Sequence, residues 1–103
     1  MHLDLQAFRC PTAQQYAMKA LTLFAGTDGV EMVIVTVEPS LGRDIRHRIA
    51  HLGLPFDLQL CPDRPITDEI RASWSERFDE EDYSDVEVQR VFKLVRVVKE
   101  VGL

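Results

Sequence analysis

Residues 30–37 read Val-Glu-Met-Val-Ile-Val-Thr-Val, and this segment sets the architecture of the chain. It is rich in β-branched residues and almost continuously apolar, which is typical of a strand in the middle of a sheet with both faces covered. Such a strand requires neighbouring strands on both sides and helices packed against the sheet. The sequence on either side of the segment contains both patterns.

A strand and a helix precede this central segment. Residues 2–7 alternate leucines with polar residues, the pattern of a short strand. In residues 11–24 the apolar side chains recur at helical spacing, and Gly26 follows as a stop signal. Cys10 lies where the cap of this helix is expected, directly before Pro11, which suits a first helical turn.

A second helix and a third strand follow the central segment. Ser40 can cap the helix, and Gly53 supplies its stop. The stripe of apolar residues expected to be buried consists of Leu41, Ile45, Ile49 and Leu52. Residues 55–60 then alternate apolar and polar side chains, with Phe56, Leu58 and Leu60 on one side, and this alternation predicts a strand.

The rest of the chain divides into a helix, an acidic loop and a strand. Thr67 can cap a short helix with acidic residues near its positive end. Its apolar residues, at every fourth position, are Ile66, Ile70, Trp74 and Phe78. Residues 79–85 form an acidic loop. Residues 86–98 are dense in valine and fit either a helix or a strand, and we favour the strand.

The predicted fold is an α/β (α+β) two-layer sandwich in one domain, residues 1–103. Its order is β-α-β-α-β-β, with two helices on one face of a four-stranded mixed sheet. Residues 62–85 are expected to be an inserted helix and acidic loop before the last strand. We expect this insertion to add to a partner-binding surface, so that replacing residues 64–84 by a short turn leaves a folded domain.

The net charge is −5, and the acidic residues are concentrated in one segment. Residues 63–87 contain ten acidic and three basic residues. Because nucleic-acid backbones are bound by dense fields of Lys and Arg, the composition favours a protein partner. No apolar stretch approaches the roughly 20 residues of a membrane span, no leader pattern is present, and two cysteines are too few for a disulfide framework. We therefore expect a cytoplasmic protein with free thiols and no membrane association.

Residues 3–11, Leu-Asp-Leu-Gln-Ala-Phe-Arg-Cys-Pro, resemble the opening of the TusA/SirA-like sulfur-carrier family, in which a short strand runs into Arg-Cys-Pro at the first helix. Glu38-Pro39 and Arg43-Asp44-Ile45 are similar to an acidic-Pro and an Arg-Asp-Ile element at the corresponding place in that family. Together with the order of elements, the resemblance covers residues 3–60 and is expected to include the last strand.

The chain departs from the family pattern at two places. The family motif is Cys-Pro-x-Pro, whereas Ala13 stands in place of the second proline. Because this position is in the first helical turn, we expect Ala13→Pro to change stability by about 1 kcal/mol or less. The second departure is the insertion, which stands where the family usually has a short hairpin.

The resemblance implies that Cys10 carries sulfur as a persulfide. Its position agrees with this chemistry, because the backbone N–H groups and the dipole at a helix N-terminus favour a thiolate. Arg9 is expected to add a positive charge, and Pro11 and Thr12 to support the start of the helix. Cys61 ends a predicted strand and is expected to be structural, with a resolving role towards Cys10 as the alternative.

Other side chains are candidates for binding a partner. A basic patch on the second helix consists of Arg43, Arg46 and Arg48. It is expected to dock an acidic partner, with a solvated helix face as the alternative. Trp74 is a further docking candidate, although a place in the core is the stronger expectation. His47 and His51 are spaced for a metal but lack a third ligand, so we expect no metal or other cofactor.

The sequence thus predicts a sulfurtransferase-type sulfur carrier with Cys10 as the reactive residue. By resemblance, the donor is a protein such as a cysteine desulfurase, and the acceptor is a second protein of a sulfur-relay pathway. The alternative is a non-catalytic interaction or regulatory module that uses the same fold and the inserted segment to bind a partner.

Overall fold

The computed structural model describes residues 1–97. The strands are β1 (His2–Asp4), β2 (Glu31–Thr36), β3 (Phe56–Pro65) and β4 (Val88–Arg96). The helices are α1 (Thr12–Ala25), α2 (Leu41–Leu52) and α3 (Asp68–Trp74), and a single 3-10 turn spans Glu80–Asp82. Within residues 1–97, no helix is both long and apolar enough to cross a membrane.

The four strands form one mixed sheet in the order β1-β2-β4-β3. β1 pairs with β2 in parallel, and β4 pairs antiparallel with both β2 and β3. The predicted four-stranded mixed sheet is therefore confirmed, as is the interior position of the valine-rich strand β2. The segment at residues 86–98 is a strand, as expected, as far as Arg96; Val98 lies outside the described residues.

Helices α1 and α2 cover one face of the sheet, as predicted. Each helix buries most of its apolar stripe, with Ala17 and Leu21 from α1 and Ile45 from α2 in one core cluster with the strands. The strand residues of this cluster include Met32, Ile34, Phe56, Leu58, Phe92 and Leu94. Gly53 ends α2 in the left-handed conformation at φ 61°, which a glycine adopts without steric cost.

Two leucines assigned to the core by their spacing are exposed instead. Leu52 is 53% exposed because it is the last residue of α2, where the helix leaves the sheet. Leu60 is 70% exposed, although it pairs with the buried Phe92. It belongs to β3, the edge strand of the sheet, which has no further strand outside it.

The contact between α1 and β4 depends on Arg96, a residue to which the sequence pattern assigned no role. Its guanidinium donates to the carbonyl oxygens of Phe24, Thr27 and Gly29 at 2.8 to 2.9 Å. It also lies 5.4 Å and 5.0 Å from the ring centroids of Phe24 and Phe56. Arg96 thus supplies donors to carbonyls at the C-terminal end of α1, where a helix leaves such groups without partners.

The segment after β3 builds a second apolar cluster. Ile66, Trp74 and Tyr83 are buried there against Ala7 and Val37, which come from the regions following β1 and β2. The indole of Trp74 packs edge-on against the ring of Tyr83 with centroids 5.7 Å apart. Trp74 is 2% exposed because its side chain packs against residues of the same chain. The suggestion that this side chain docks a partner is therefore wrong.

The backbone of this segment is also tied to the rest of the domain. Thr67 caps α3 as predicted, since its hydroxyl accepts from the N–H of Ile70 at 3.3 Å. The guanidinium of Arg71 donates to the carbonyl oxygens of Tyr83 and Val86. β3 itself continues to Pro65 through a bulge after Cys61, so the first residues of the expected insertion belong to the sheet.

Candidate functional site

Cys10 is exposed and lies just before α1. The residue at the cap position is Pro11 rather than Cys10, and the Cys10–Pro11 peptide bond is cis. The N–H of Ala13 donates to the carbonyl of Arg9 at 2.8 Å, and the N–H of Gln15 donates to that of Pro11 at 3.0 Å. The first of these bonds closes a turn that precedes the helix, and the second is the first bond of α1, which begins at Thr12, one residue later than a cap at Cys10 would place it.

The thiol lies beside the N-terminus of the second helix as well. Its Sγ is 4.0 Å from the hydroxyl oxygen of Ser40, the residue that precedes α2. Ser40 does not cap α2 with its side chain, in contrast to the expectation, because its hydroxyl donates to Oε1 of Glu38 at 3.0 Å. Two helix N-termini therefore converge on one exposed sulfur atom, and their dipoles favour negative charge there.

Glu38 links these groups through both of its carboxylate oxygens. While Oε1 accepts from Ser40, Oε2 accepts from the backbone N–H of Cys10 at 3.4 Å. The backbone N–H of Glu38 donates to the hydroxyl of Thr36 at 3.0 Å, which fixes the turn between β2 and α2. The carboxylate holds the two helix starts together, but its negative charge opposes a thiolate on the neighbouring residue.

Replacing Glu38 by Gln is expected to increase the reactivity of Cys10. Glutamine keeps an oxygen that accepts from Ser40 and removes the negative charge, so the rate of alkylation by iodoacetamide at pH 7 should rise about threefold. Quenched reactions followed by peptide mapping measure this rate. The control is Glu81→Gln, which removes the same charge from the exposed acidic loop. An unchanged rate would show that this carboxylate does not affect the thiol, and a slower reaction would show that it supports the thiolate.

Arg9, which was expected to add a positive charge near the thiol, is paired with the acidic loop. Its guanidinium donates to a carboxylate oxygen of Asp85 at 3.1 Å and to the backbone carbonyl of Asp82 at 3.3 Å. Arg9 is instead a link between the strand that leads to Cys10 and the acidic loop. Both acceptors are more than seventy positions away in sequence, which is why local sequence patterns gave no indication of the pairing.

Cys10 lines a shallow hollow of about 310 Å³. Thr12 and Phe8 form one part of its wall, and Arg77 and Phe78, which follow α3, form another. The rings of Phe8 and Phe78 meet edge-on with centroids 4.8 Å apart. The segment after β3 is therefore one side of the candidate site. No sequence pattern indicated that Arg77 and Phe78 lie beside Cys10.

The three arginines of α2 differ in whether they line a groove beside the helix. All three are exposed, but only Arg43 and Arg48 line a groove of about 430 Å³ between α1 and α2, and Arg46 does not. His47 and His51 also line this groove with parallel rings, whose centroids are 6.4 Å apart. Across residues 1–97, no three His, Cys, Asp or Glu side chains are grouped to hold a metal ion.

Cys61 is separate from this arrangement. It is half-buried on β3, opposite Val91 of β4, next to the bulge. Both cysteines are free thiols. The hollow that Cys61 lines, with Leu60 and Pro39 among its other residues, does not include Cys10.

Comparison with family models, curated proteins and solved structures finds no match to this chain.

Proposed function

We propose that the protein is a sulfur carrier that accepts a persulfide sulfur on Cys10 and passes it to a second protein. One observation carries the proposal: Cys10 is an exposed free thiol at the point where the N-termini of α1 and α2 converge. A carrier needs this combination, because the sulfur must be reachable by large partners and favoured as an anion. The similarity of residues 3–11 to the TusA/SirA-like family supports the same function.

The reaction consists of two thiol exchanges. The Cys10 thiolate attacks the outer sulfur of the donor's persulfide, the donor's S–S bond breaks, and the donor leaves as a thiolate. Cys10 then carries the persulfide. An acceptor thiolate attacks the outer sulfur, and Cys10 leaves as a thiolate again. The hydroxyl of Ser40, within 4.0 Å of Sγ, donates to the anionic sulfur when it turns away from Glu38.

The partners proposed for this exchange are proteins. By resemblance, the donor is a cysteine desulfurase or another persulfide-bearing protein, and the acceptor belongs to a sulfur-relay pathway of the cytoplasm. No cofactor takes part in either exchange. Two exposed arginines of α2, Arg43 and Arg48, are the proposed docking surface for one of these partners, since α2 begins beside Cys10.

The test is the intact mass of the protein after incubation with a cysteine desulfurase and cysteine. The unchanged chain and Cys61→Ser are expected to gain the mass of one sulfur atom, which a reductant removes. Cys10→Ser is expected to gain none, although it removes only an exposed sulfur and should leave stability unchanged. A sulfur adduct that persists in Cys10→Ser, or that disappears in Cys61→Ser, contradicts the assignment.

A second candidate function is a non-catalytic interaction module. The observation that favours it is the environment of the thiol: Glu38 places a carboxylate beside Cys10, and the nearest arginine, Arg9, is engaged by Asp85. The two functions differ in what Cys10→Ser does. A module keeps its partner when the thiol is removed, whereas a carrier loses the transfer of sulfur while its fold is retained.

A further inference from the structure

The groove between α1 and α2 begins one helical turn from the proposed sulfur-carrying residue. Gln14, four positions after Cys10, lines it on α1, and Arg43, three positions after Ser40, lines it on α2. One turn of an α-helix rises about 5 Å, so a chain that lies in the groove reaches the thiol within about two residues. The groove is therefore a path that leads to Cys10.

The walls of this groove are positively charged on an acidic protein. Arg43 and Arg48 line it, and Asp44 is the only acidic residue that does. In the part of the chain that the structure describes, neither guanidinium forms an ion pair. His47 and His51 place two imidazoles in the same lining. Because the excess of acidic residues lies in residues 63–87, an acidic segment is attracted to the groove and repelled by that part of the surface.

The far end of the groove is apolar. A second hollow of about 310 Å³ continues it and shares Met18 and Arg48 with it. Leu52 and Leu54 line this continuation, together with Lys19. Leu52 is 53% exposed, although its place in the apolar stripe of α2 predicted a buried side chain. An apolar side chain of a partner would cover Leu52 at this position.

We infer that this groove binds an extended acidic segment of the protein that exchanges sulfur with Cys10. The inference rests on the proposed sulfur-carrier function. Arg43 and His51 are eight positions apart on α2, which corresponds to about 12 Å, or about four residues of extended chain. The bound segment therefore presents about four residues rich in Asp and Glu, with its reactive sulfur at the Cys10 end and an apolar residue at the Leu52 end.

Nucleic acid fits the groove less well than an acidic peptide. Backbone binding requires neutralisation of successive phosphates by many cations. Here two arginines and Lys19 are combined with Asp44, and the acidic loop stands on the other side of Cys10. A short carboxylate-rich segment matches this limited number of cations, because carboxylates pair with guanidinium groups one at a time.

The experiment uses two synthetic peptides that carry an activated disulfide. Each has a cysteine linked to 2-thiopyridine, two glycines and then four residues, Glu-Glu-Glu-Leu in one peptide and Gln-Gln-Gln-Leu in the other. The protein is the full chain with Cys61→Ser. The Cys10 thiolate attacks the peptide sulfur, the S–S bond breaks, and its electron pair leaves on 2-thiopyridone, whose absorbance gives the rate.

The acidic peptide is expected to react about tenfold faster than the neutral one at low ionic strength, and high salt should remove the difference. Arg43→Glu with Arg48→Glu should abolish the advantage, and the milder Arg43→Gln with Arg48→Gln should reduce it. The matched control is Arg46→Glu on the same helix, outside the groove, which should retain most of it.

Three results overturn the inference. These are equal rates for the two peptides, an equal loss in Arg46→Glu, and stronger protection of Cys10 from iodoacetamide by a single-stranded RNA than by the acidic peptide. The outcome is independent of sulfur transfer. A protein that prefers the acidic peptide but takes no sulfur from a desulfurase keeps the groove as a docking site and loses the carrier function. A protein that takes sulfur from a desulfurase but does not prefer the acidic peptide keeps the carrier function, and the groove is then not its docking site.

Discussion

Trp74→Ala is expected to lower the free energy of unfolding by about 3–4 kcal/mol, the cost of removing a fully buried large aromatic side chain. The indole is 2% exposed and packs edge-on against Tyr83. Its cluster also contains Ala7 and Val37, which lie in the regions following β1 and β2, so the cavity opens against the main body of the domain. Urea denaturation followed by far-ultraviolet circular dichroism measures the loss without relying on tryptophan fluorescence.

The control for this substitution is Trp74→Phe, which keeps an aromatic ring and should cost less. A loss below about 1 kcal/mol in Trp74→Ala would show that the segment after β3 folds separately from the sheet. The same cluster changes the expectation for replacing residues 64–84 by a short turn. Such a chain would expose Ala7 and Val37 and remove the last pairs of β3, so we now expect it to be strongly destabilised.

Ala13→Pro is expected to destabilise the fold by about 2–3 kcal/mol, because a hydrogen bond is lost and a ring is added at a buried site. The backbone N–H of Ala13 donates to the carbonyl of Arg9 at 2.8 Å, and proline cannot make this bond. The side chain of Ala13 is completely buried in the main core, so a pyrrolidine ring has no space there. The sequence predicted that this substitution would be tolerated. The structure predicts instead that it destabilises the fold.

Thermal and urea unfolding of Ala13→Pro beside Ala13→Gly and Ala13→Val measures these effects. Valine keeps the N–H and adds volume, so its cost reports the lack of space, whereas glycine keeps the N–H and should cost about 1–2 kcal/mol through backbone entropy and the lost methyl group. If Ala13→Pro were as stable as the unchanged chain, neither the hydrogen bond to Arg9 nor the buried position of residue 13 would contribute to stability. The difference between Ala13 and the second proline of the TusA/SirA-like motif would then have no effect on stability.

The fold was largely predictable because the sequence patterns that specify its helices and strands are local. The period-2 pattern of β3, the 3.6-residue spacing in α1 and α2, and the stop signals at Gly26 and Gly53 each act within a few neighbouring residues. The choice of strand for β4 was also correct, although its valines fit both periods. Leu52 and Leu60 were wrongly assigned to the core. Periodicity shows which face of a helix or strand a residue lies on, but it does not show how far the neighbouring helices and strands cover that face.

The site was only partly predictable, because its contacts join distant parts of the chain. The position of Cys10 at a helix start followed from Pro11 and from the resemblance. The partners of Arg9, the two hydrogen bonds of the Glu38 carboxylate and the wall formed by Arg77 and Phe78 depend on tertiary packing. No periodic signal encodes such pairs, so charge and composition at these positions were interpreted as properties of the surface.

The strand order has a consequence for biosynthesis. Among the four strands in residues 1–97, β4 is the last to leave the ribosome, yet it lies between β2 and β3. Until it emerges, β2 has a neighbour on one side only and β3 has none, so both present unpaired backbone groups and uncovered apolar side chains. Helix α1 also lacks the guanidinium of Arg96 during this period. The sheet of the nascent chain therefore stays incomplete until β4 has left the exit tunnel, a period in which a chaperone would protect it from aggregation.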